Sequence, residues 1–387
     1  ALAPVEYDGV KLNLIDVPGL FDFELGLYEG MAAAESVLIC VSGRSGVSVG
    51  AEKAYKLAEK QGKSRMIFVT KMDLENANFY KIFEELKTEF GPSVCPCVAP
   101  VRLDDGTTAY VNLFSQKAFR YESGKQVQIE LPEMGHRLDG LVEAMSEAVA
   151  ETDDALMEKF FEGEPFTTEE IVEGMRNGVN KGVITPVFCG SAINLQAMDM
   201  LLFNMKELLP SPAAAGDVAA AGKDGAEIKL SSDAAAPLAA YVFKTVADPF
   251  VGKLSYVKVV SGKLTGQSAL VNARTGEAER MGKLLYLRGK KQTDAAEIGA
   301  GDIGAITKLP NAKTGDTLCD PARVAALPPP SFPTPTLSMA VKVAKKGDEG
   351  KIGTALARLM EEDPTIGYRV DGETAQQVLS GLGEQHL

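Results

Sequence analysis

The sequence predicts three successive domains of different classes: an α/β domain built on a parallel sheet, an antiparallel β-barrel, and a partial α+β domain. Three observations predict this order. Strand and helix signals alternate over 1–212, short strands separated by glycine turns fill 237–320, and a strand–helix–strand–strand order occupies 333–387. Alternating strands and helices favour a parallel sheet covered by helices, whereas short strands with glycine turns are typical of antiparallel barrels.

The size and charge of the chain limit what it can be. Its 387 residues, 45% hydrophobic and 24% charged, predict two to three globular domains at about 150 residues each. The net charge of −13 argues against indiscriminate binding to nucleic acid, which depends on neutralising phosphates. A local basic patch can still bind a particular partner surface.

The apolar residues and the cysteines indicate a cytoplasmic protein, and the histidines limit the kinds of site it can contain. No apolar run reaches the roughly 18 residues of a membrane span, and no secretory signal is visible at the N-terminus, so we expect a cytoplasmic protein without a membrane partner. Five scattered cysteines fit a reducing compartment. The only two histidines, His136 and His386, lie far apart in the sequence and argue against a histidine-based metal site or triad.

The first domain, 1–212, is predicted from apolar strands that alternate with helices. The predicted strands are 11–15, 36–41, 64–69 and 183–189, and the predicted helices are 47–61, 79–90 and 198–209. The stretch between Asp73 and Ser191 is too long for a single crossover, so we expect an inserted subdomain at about 92–181. Its predicted elements are extended pieces at 108–114 and 126–131, helices at 138–150 and 153–161, and a helix start capped by Thr167.

The second and third domains follow two linkers. Residues 213–236 are rich in alanine, glycine and aspartate and are predicted to be a linker with one short strand at 226–230. The barrel strands are predicted at 238–244, 254–261, 268–272, 279–287 and 303–306, and a second linker carries three prolines at 328–330. The strand–helix–strand–strand elements are predicted at 336–343, 348–362, 368–370 and 376–379. This order begins a ferredoxin-like fold whose remaining helix and strand are missing.

Three polar loops follow predicted strands of the first domain. They are Asp16-Val17-Pro18-Gly19, Thr70-Lys71-Met72-Asp73 and Gly190-Ser191-Ala192. Because ligands of open α/β sheets bind at the carboxyl ends of the strands, we expect the three loops to share one rim. Taken singly, the first is a common turn, the second a solvated pair and the third an ordinary loop. Their order, strand context and separation favour a shared ligand site.

The residue types in these loops suit a guanine nucleotide. Asp16 can hold Mg²⁺ through water, because magnesium keeps several waters and takes few carboxylates. Gly19 lets its N–H approach a terminal phosphate. Asp73 can accept two hydrogen bonds from a guanine edge, which an adenine edge cannot supply. The stem of Lys71 can lie along the base, and the N–H of Ala192 can meet the guanine carbonyl.

Motifs along the whole chain resemble elongation factor G. They are 248–254, 315–320, 361–365 and 380–387 in the last two domains, and 155–160 with 162–164 in the inserted subdomain. The resemblance implies a P-loop NTPase-type GTP-binding domain at 1–212, a translation-factor β-barrel at 237–320 and a partial ferredoxin-like domain III at 333–387. It also implies GTP or GDP with Mg²⁺ as cofactors. The expected partner is the ribosome, its RNA and proteins, with the tRNA–mRNA complex, and the expected state is a monomer.

Three departures from the family pattern bear on activity. The chain contains no Gly-x-x-x-x-Gly-Lys-Ser/Thr phosphate loop and no first switch segment, and it stops inside the third domain. Leu20 stands where the family has the histidine that positions the attacking water, a role leucine cannot fill because it has no donor or acceptor. Thr70 replaces the usual asparagine, a change compatible with guanine recognition.

These departures leave alternatives open. Leu20 either packs on the sheet in a chain that still hydrolyses GTP slowly, or marks a paralogue with impaired or altered hydrolysis. The leading function is therefore a GTPase that hydrolyses GTP to GDP and phosphate and acts on the ribosome in the translocation step. The alternative is a ribosome-binding paralogue gated by GTP binding, with weak or no hydrolysis. An ordinary metabolic α/β enzyme is disfavoured, because no nucleophile–base pair or dinucleotide fingerprint is present.

Overall fold

The computed structural model describes residues 1–134, 136–248, 251–342 and 349–387. These residues form two compact units, one of 35–210 and one of 1–34 with 211–387. Parts of three predictions lie outside the described residues: 249–250 of the 248–254 motif, 343 at the end of a strand, and 348 at the start of a helix. Among the described residues, no helix is both long and apolar enough to cross a membrane.

The first 210 residues contain ten strands and seven helices in their described part. The strands are β1 (Leu2–Tyr7), β2 (Val10–Ile15), β3 (Ser36–Ser42), β4 (Ser64–Thr70), β5 (Val94–Pro96), β6 (Val98–Arg102), β7 (Thr108–Asn112), β8 (Lys117–Glu122), β9 (Lys125–Ile129) and β10 (Thr185–Cys189). The helices are α1 (Leu25–Ala33), α2 (Val49–Lys60), α3 (Phe79–Phe90), α4 (His136–Ala150), α5 (Asp154–Phe161), α6 (Thr168–Asn180) and α7 (Met198–Leu208). A 3-10 turn, Phe21–Phe23, precedes α1.

The secondary-structure elements of the remaining residues are mainly strands. In the described part they are β11 (Val218–Gly222), β12 (Glu227–Leu230), β13 (Ala239–Asp248), β14 (Gly252–Ser261), β15 (Lys263–Thr265), β16 (Leu270–Asn272), β17 (Ala278–Glu279), β18 (Leu284–Arg288), β19 (Lys291–Asp294), β20 (Glu297–Gly299), β21 (Ile303–Thr307), β22 (Thr317–Cys319), β23 (Ala325–Ala326), β24 (Leu337–Val341), β25 (Gly367–Val370) and β26 (Gln377–Gly381). One helix, α8 (Glu349–Glu362), lies between β24 and β25.

The unit of 35–210 is built on a parallel sheet, as predicted. Its strand order is β3-β4-β10-β5, and all three pairings are parallel. Six of the seven residues of β4 are buried, as expected for a parallel strand covered on both faces. Helices α2, α3 and α6 contact the strands of this sheet. The sheet brings the carboxyl ends of β4 and β10 side by side.

The same unit contains a second, antiparallel sheet of order β6-β7-β8-β9, here called the inserted sheet. The predicted range of the insertion, 92–181, is wider than this sheet and its helices, because β5 pairs with β10 and α6 contacts β4 and β10. Strands β6 and β8 were not predicted from the sequence. The predicted cap at Thr167 is confirmed: its hydroxyl accepts the N–H of Glu170, whose carboxylate accepts the N–H of Thr167.

Strand β2 does not belong to the parallel sheet, contrary to the prediction for 11–15. In the described structure it pairs antiparallel with β1, from Leu2 opposite Ile15 to Tyr7 opposite Val10. The sequence contains the physical reason, because β2 alternates apolar and polar residues. Such alternation suits a half-buried antiparallel strand, whereas strands of a parallel sheet are apolar on both faces.

The second unit is centred on the predicted barrel. Eight strands form an antiparallel sheet of order β17-β16-β22-β13-β14-β21-β18-β19, and β15 pairs with β20. Both faces of β13 are buried, since Ala240 and Val242 pack in one core and Tyr241 and Phe243 in another. The second core also includes Leu2 of β1. The N-terminal hairpin of β1 and β2 therefore covers one face of the barrel sheet. The first 34 residues thus pack with the barrel.

Two predictions for this unit need correction. The linker predicted at 213–236 contains a hairpin of β11 and β12, and β11 also pairs with β23, so the segment extends a three-stranded sheet. The strand predicted at 279–287 is two strands, β17 and β18, separated by Gly282. A Cβ at Gly282 would lie 2.5 Å from Thr307 Oγ1, so the chain passes too close to β21 for a longer residue there.

The C-terminal part has the predicted strand–helix–strand–strand order. Strand β26 lies between β24 and β25, antiparallel to both. Helix α8 is tied to the barrel by the carboxylate of Glu362, which accepts the N–H of Ala247 at 2.6 Å, and by an ion pair of Glu361 with Lys253.

Candidate functional site

The loop after β4 contains Thr70, Lys71 and Asp73. It leaves the sheet through Lys71, whose φ of 61° is left-handed. The Thr70 carbonyl accepts the N–H of Gly43 at 2.8 Å, and the Met72 N–H donates to the carbonyl of Gly190 at 3.2 Å. The second of these bonds joins this loop to the loop after β10. Thus, two of the three predicted loops lie together at the carboxyl ends of neighbouring strands.

The loop after β10, residues 190–197, is shaped by close packing at its start. A Cβ at Gly190 would lie 2.3 Å from the carbonyl oxygen of Gln196, so only glycine fits. Ser191 is fully buried and exchanges two backbone hydrogen bonds with Gln196, at 3.0 and 2.9 Å. The Ser191 hydroxyl also accepts the N–H of Asn194 at 3.3 Å. The loop then turns outward, and Ala192 is exposed.

The exposed groups of these two loops fit a guanine base. Lys71, Asp73 and Ala192 are all exposed. The Asp73 carboxylate makes no hydrogen bond or ion pair with another described residue, and it borders a cleft of about 640 Å³ that is also lined by Asn194 and Gln196. An exposed carboxylate with free acceptor capacity, beside a turn of exposed backbone, is the set of groups that a guanine edge requires.

Asp16, Gly19 and Leu20 belong to the other compact unit. Asp16 is exposed at its side chain, while its backbone N–H and C=O both bond to Ala1, at 2.7 and 2.6 Å. No atom lies within 4 Å of a Cβ built on Gly19, which leaves room for close approach of a ligand. The predicted location of all three loops on one rim stays a prediction.

A single carboxylate is the only acidic ligand predicted for magnesium. The described residues contain no group of three His, Cys, Asp or Glu side chains able to hold a metal ion. The predicted role of Asp16 toward Mg²⁺ stays a prediction.

Leu20 is 60% exposed and precedes the 3-10 turn. The interpretation that Leu20 packs on the sheet is therefore wrong. Its backbone carbonyl accepts the N–H of Phe23 at 3.1 Å. An exposed leucine outside the core is an apolar group placed where the family resemblance expects a water-orienting one.

Sequence reasoning missed the anchoring of the segment that follows Leu20. The Asp22 carboxylate accepts the N–H of Gln385 at 2.8 Å, and the ring of Phe23 meets that of His386 edge-on at 6.2 Å. His386 Nδ1 accepts the N–H of Leu382, so its proton lies on Nε2, which donates to Asp363 at 2.9 Å. The 380–387 motif was the available signal, but its partner in the 16–24 segment lies too far away in sequence to be inferred.

Family models match nearly the whole chain. The model described as "Elongation factor Tu GTP binding domain" matches residues 1–211. The models described as "Elongation factor G domain 2" and "Elongation Factor G, domain III" match 237–321 and 332–387. These segments correspond to the parallel-sheet region with the N-terminal hairpin, the barrel, and the β24–β26 region.

Individual relatives match over the same length. An "Elongation factor G-like protein" of Thermotoga maritima is 33% identical over 386 residues, which are 100% of this chain and 56% of that protein. A crystal structure of a protein from Thermus thermophilus superimposes with a TM-score of 0.85 at 30% identity and covers the same shares of the two chains. The chain thus spans about half the length of the relatives it matches. The matches and the observed order of parallel sheet, barrel and βαββ region agree, and the chain belongs to the elongation factor G family.

Proposed function

We propose that this chain is the nucleotide-binding and barrel part of a GTPase that acts on the ribosome during protein synthesis, at the translocation step. The observation that carries the proposal is the hydrogen bond between Met72 and Gly190, which holds the Thr70–Asp73 loop against the 190–197 loop. It leaves Asp73 and Ala192 exposed on adjacent turns. The fold family supports a GTP-binding domain on the same residues.

In this proposal the two loops recognise the guanine base. Asp73 accepts hydrogen bonds from the two nitrogen donors of the guanine edge, and the Ala192 N–H donates to the guanine carbonyl. Lys71 covers a face of the base with its aliphatic stem. Ser191 keeps Ala192 in place, because its backbone and hydroxyl are already bonded within the loop. Thr70 ends β4, and its carbonyl bonds to Gly43, so its side chain is not needed to hold the turn.

The phosphate end of the nucleotide is assigned to Asp16 and Gly19. Mg²⁺, when bound with the nucleotide, supplies positive charge to the phosphates. Asp16 would hold this ion through a water molecule, and the open space at Gly19 would admit a phosphate oxygen to its N–H. We also propose a cytoplasmic monomer, with ribosomal RNA, ribosomal proteins and the tRNA–mRNA complex as partners.

A second candidate function is favoured by Leu20. Its exposed side chain offers no donor or acceptor to an attacking water. A ribosome-binding paralogue that is gated by GTP binding and hydrolyses GTP weakly or not at all agrees with this residue. Such a protein would leave the ribosome without coupling its release to fast hydrolysis.

Single-turnover hydrolysis of GTP by the complete protein, with and without ribosomes, separates the two functions. The GTPase proposal expects hydrolysis stimulated by ribosomes. The second candidate expects GTP-dependent ribosome binding, measured by co-sedimentation, with little or no stimulated hydrolysis. A complete protein that binds no guanine nucleotide would contradict both.

A further inference from the structure

The 190–197 loop is held in a conformation that its own residues do not favour. Leu195 and Ala197 have φ values of 53° and 58°, the left-handed region that residues with a side chain visit at an energetic cost. Ala197 is also the N-cap of α7 and provides no side-chain cap. Inside the loop, only the Ser191–Gln196 backbone pair and the weak bond from Asn194 oppose this strain among the described contacts.

Two tyrosines of the inserted sheet hold this loop from outside. The Tyr110 hydroxyl on β7 donates to Gln196 Oε1 at 3.1 Å. The Tyr121 hydroxyl on β8 donates to Asp199 Oδ1, in the first turn of α7, at 2.5 Å. The two rings meet edge-on with centroids 5.8 Å apart. One hydroxyl therefore binds on each side of Ala197.

Burial and strand pairing restrict the motion of these tyrosines. Tyr110 has no exposed surface. Its strand pairs with β6 on one side and β8 on the other. Burial raises the pKa of Tyr110, and burial together with the Asp199 carboxylate raises the pKa of Tyr121. Both hydroxyls therefore stay protonated, and they remain donors over the whole physiological pH range.

We propose that Tyr110 and Tyr121 are positioning residues that fix the 190–197 loop so that the Ala192 N–H meets the guanine carbonyl. The inserted sheet thereby sets how long a guanine nucleotide stays bound. This inference rests on the proposed function, because it assigns Ala192 to the base. It adds that two hydroxyls of the inserted sheet, bonded to Gln196 and Asp199, control the dissociation of the nucleotide.

The test compares three tyrosine-to-phenylalanine variants of the complete protein. Tyr110→Phe and Tyr121→Phe each remove one hydroxyl and keep the ring. The matched control is Tyr80→Phe, since the Tyr80 hydroxyl also reaches the inserted sheet, donating to the Pro100 carbonyl at 3.1 Å, but lies on α3. Dissociation and association rates of fluorescent GDP are measured by stopped flow.

We expect dissociation of GDP to be roughly three- to tenfold faster in Tyr110→Phe and Tyr121→Phe, as befits one lost hydrogen bond. Association and the Tyr80→Phe control should change less than twofold. The affinity ratio of GDP over 2-aminopurine riboside diphosphate should fall, because the analogue keeps the amino group but lacks the carbonyl. A loss of global stability alone would not move that ratio.

GDP dissociation equal to that of Tyr80→Phe in both variants overturns the proposal. If Tyr110→Phe fails to fold, Gln196→Ala breaks the same hydrogen bond from the loop side and takes its place. If the wild-type protein binds no guanine nucleotide, the proposed function fails, and hydrogen exchange of the 192–197 amides without nucleotide then decides the positioning role. Amide exchange that is faster in Tyr110→Phe and Tyr121→Phe than in Tyr80→Phe supports the positioning role. Equal exchange in the three variants refutes it.

Discussion

At the scale of the residue, Asp73 is expected to set base specificity. Asp73→Asn in the complete protein should weaken GTP binding and improve binding of xanthine nucleotides, because the donor and acceptor positions at the base edge are exchanged. Nucleotide affinities measured by fluorescence titration check this. The matched control is Asp104→Asn, which changes an exposed carboxylate in the turn between β6 and β7 of the same unit.

The structure removes one alternative role for Asp73. A carboxylate ahead of a helix can act as its cap, and loss of a cap costs about 1 kcal/mol. In α3, however, the cap is Asn78, whose side chain accepts the N–H of Lys81 at 3.1 Å. Unchanged GTP affinity in Asp73→Asn would therefore exclude the residue from the nucleotide site and leave it without a structural role.

Leu20 is expected to limit catalysis and not binding. Leu20→His should raise ribosome-stimulated GTP hydrolysis, because the imidazole can orient a water, while GTP affinity stays within a few-fold. Val49→His serves as a control, since Val49 is an exposed aliphatic residue at the start of α2. A wild-type hydrolysis rate already equal to that of an ordinary elongation factor G would contradict the prediction that Leu20 limits catalysis.

Single residues also show what the sequence could reveal of the site. Lys71 and Asp73 were predicted for the site because they follow a buried strand, and a loop at that end of a parallel sheet is a ligand position. The Tyr110–Gln196 hydrogen bond was not found, because it joins residues 86 positions apart. No local pattern marks a tyrosine whose partner lies in a distant loop.

At the scale of the element, Asp302 joins β2 to the barrel. Its carboxylate accepts hydrogen bonds from Lys11 Nζ at 2.7 and 2.8 Å and from Asn13 Nδ2 at 2.9 Å. Burial alone would raise the pKa of Asp302, but these bonds outweigh it and hold the pKa below its usual range. The charged form is therefore bound more favourably in the folded chain than in the unfolded one.

This linkage fixes the sign of an acid effect on stability. The contribution of Asp302 is present above the pKa of an unfolded aspartate, about 3.9, and is lost as the pH falls through the lower folded value. Asp302→Asn should lower the free energy of unfolding at pH 7 by roughly 1–3 kcal/mol and flatten its decline below about pH 4.

Urea unfolding between pH 2 and 7 measures both effects. The control is Asp294→Asn, since the exposed ion pair of Asp294 with Lys283 spans 3.4 Å and should contribute little. An equal loss of stability in the two variants would contradict the prediction.

Helices were predicted better than strands, because a helix is stabilised by residues close in sequence and a strand by pairing with residues farther away. Helix α3 was predicted with its observed bounds, because its apolar periodicity and its end at Gly91 are local signals. Strands β5, β8 and β11 were missed. β5 is short, β8 is polar, and β11 consists mainly of alanine. Each becomes a strand through pairing with other strands, as β5 does with β10.

At the scale of the whole molecule, the β24–β26 region with α8 is expected to be held more weakly than the barrel. A three-stranded sheet with one described helix buries less apolar surface than the larger barrel, and most described side chains of α8 are exposed. Hydrogen exchange should therefore be faster in α8 than in β14 and β21. Equal protection in α8 and in these barrel strands would show the C-terminal region to be firmly docked.

The pairing of β11 with β23 has a consequence for how the barrel can be handled as a piece. Gly222 faces Ala325 and Ala221 faces Ala326 across one ladder, and Ala239 at the start of β13 faces Cys319 at the end of β22, so the chain enters and leaves the barrel at adjacent points. Neighbouring strands are only about 5 Å apart, a gap that a short turn can close. The two ends of the barrel therefore lie close together in space. We therefore expect that its native ends can be linked and new termini opened at an exposed turn such as Gly276 without loss of the strand pairings.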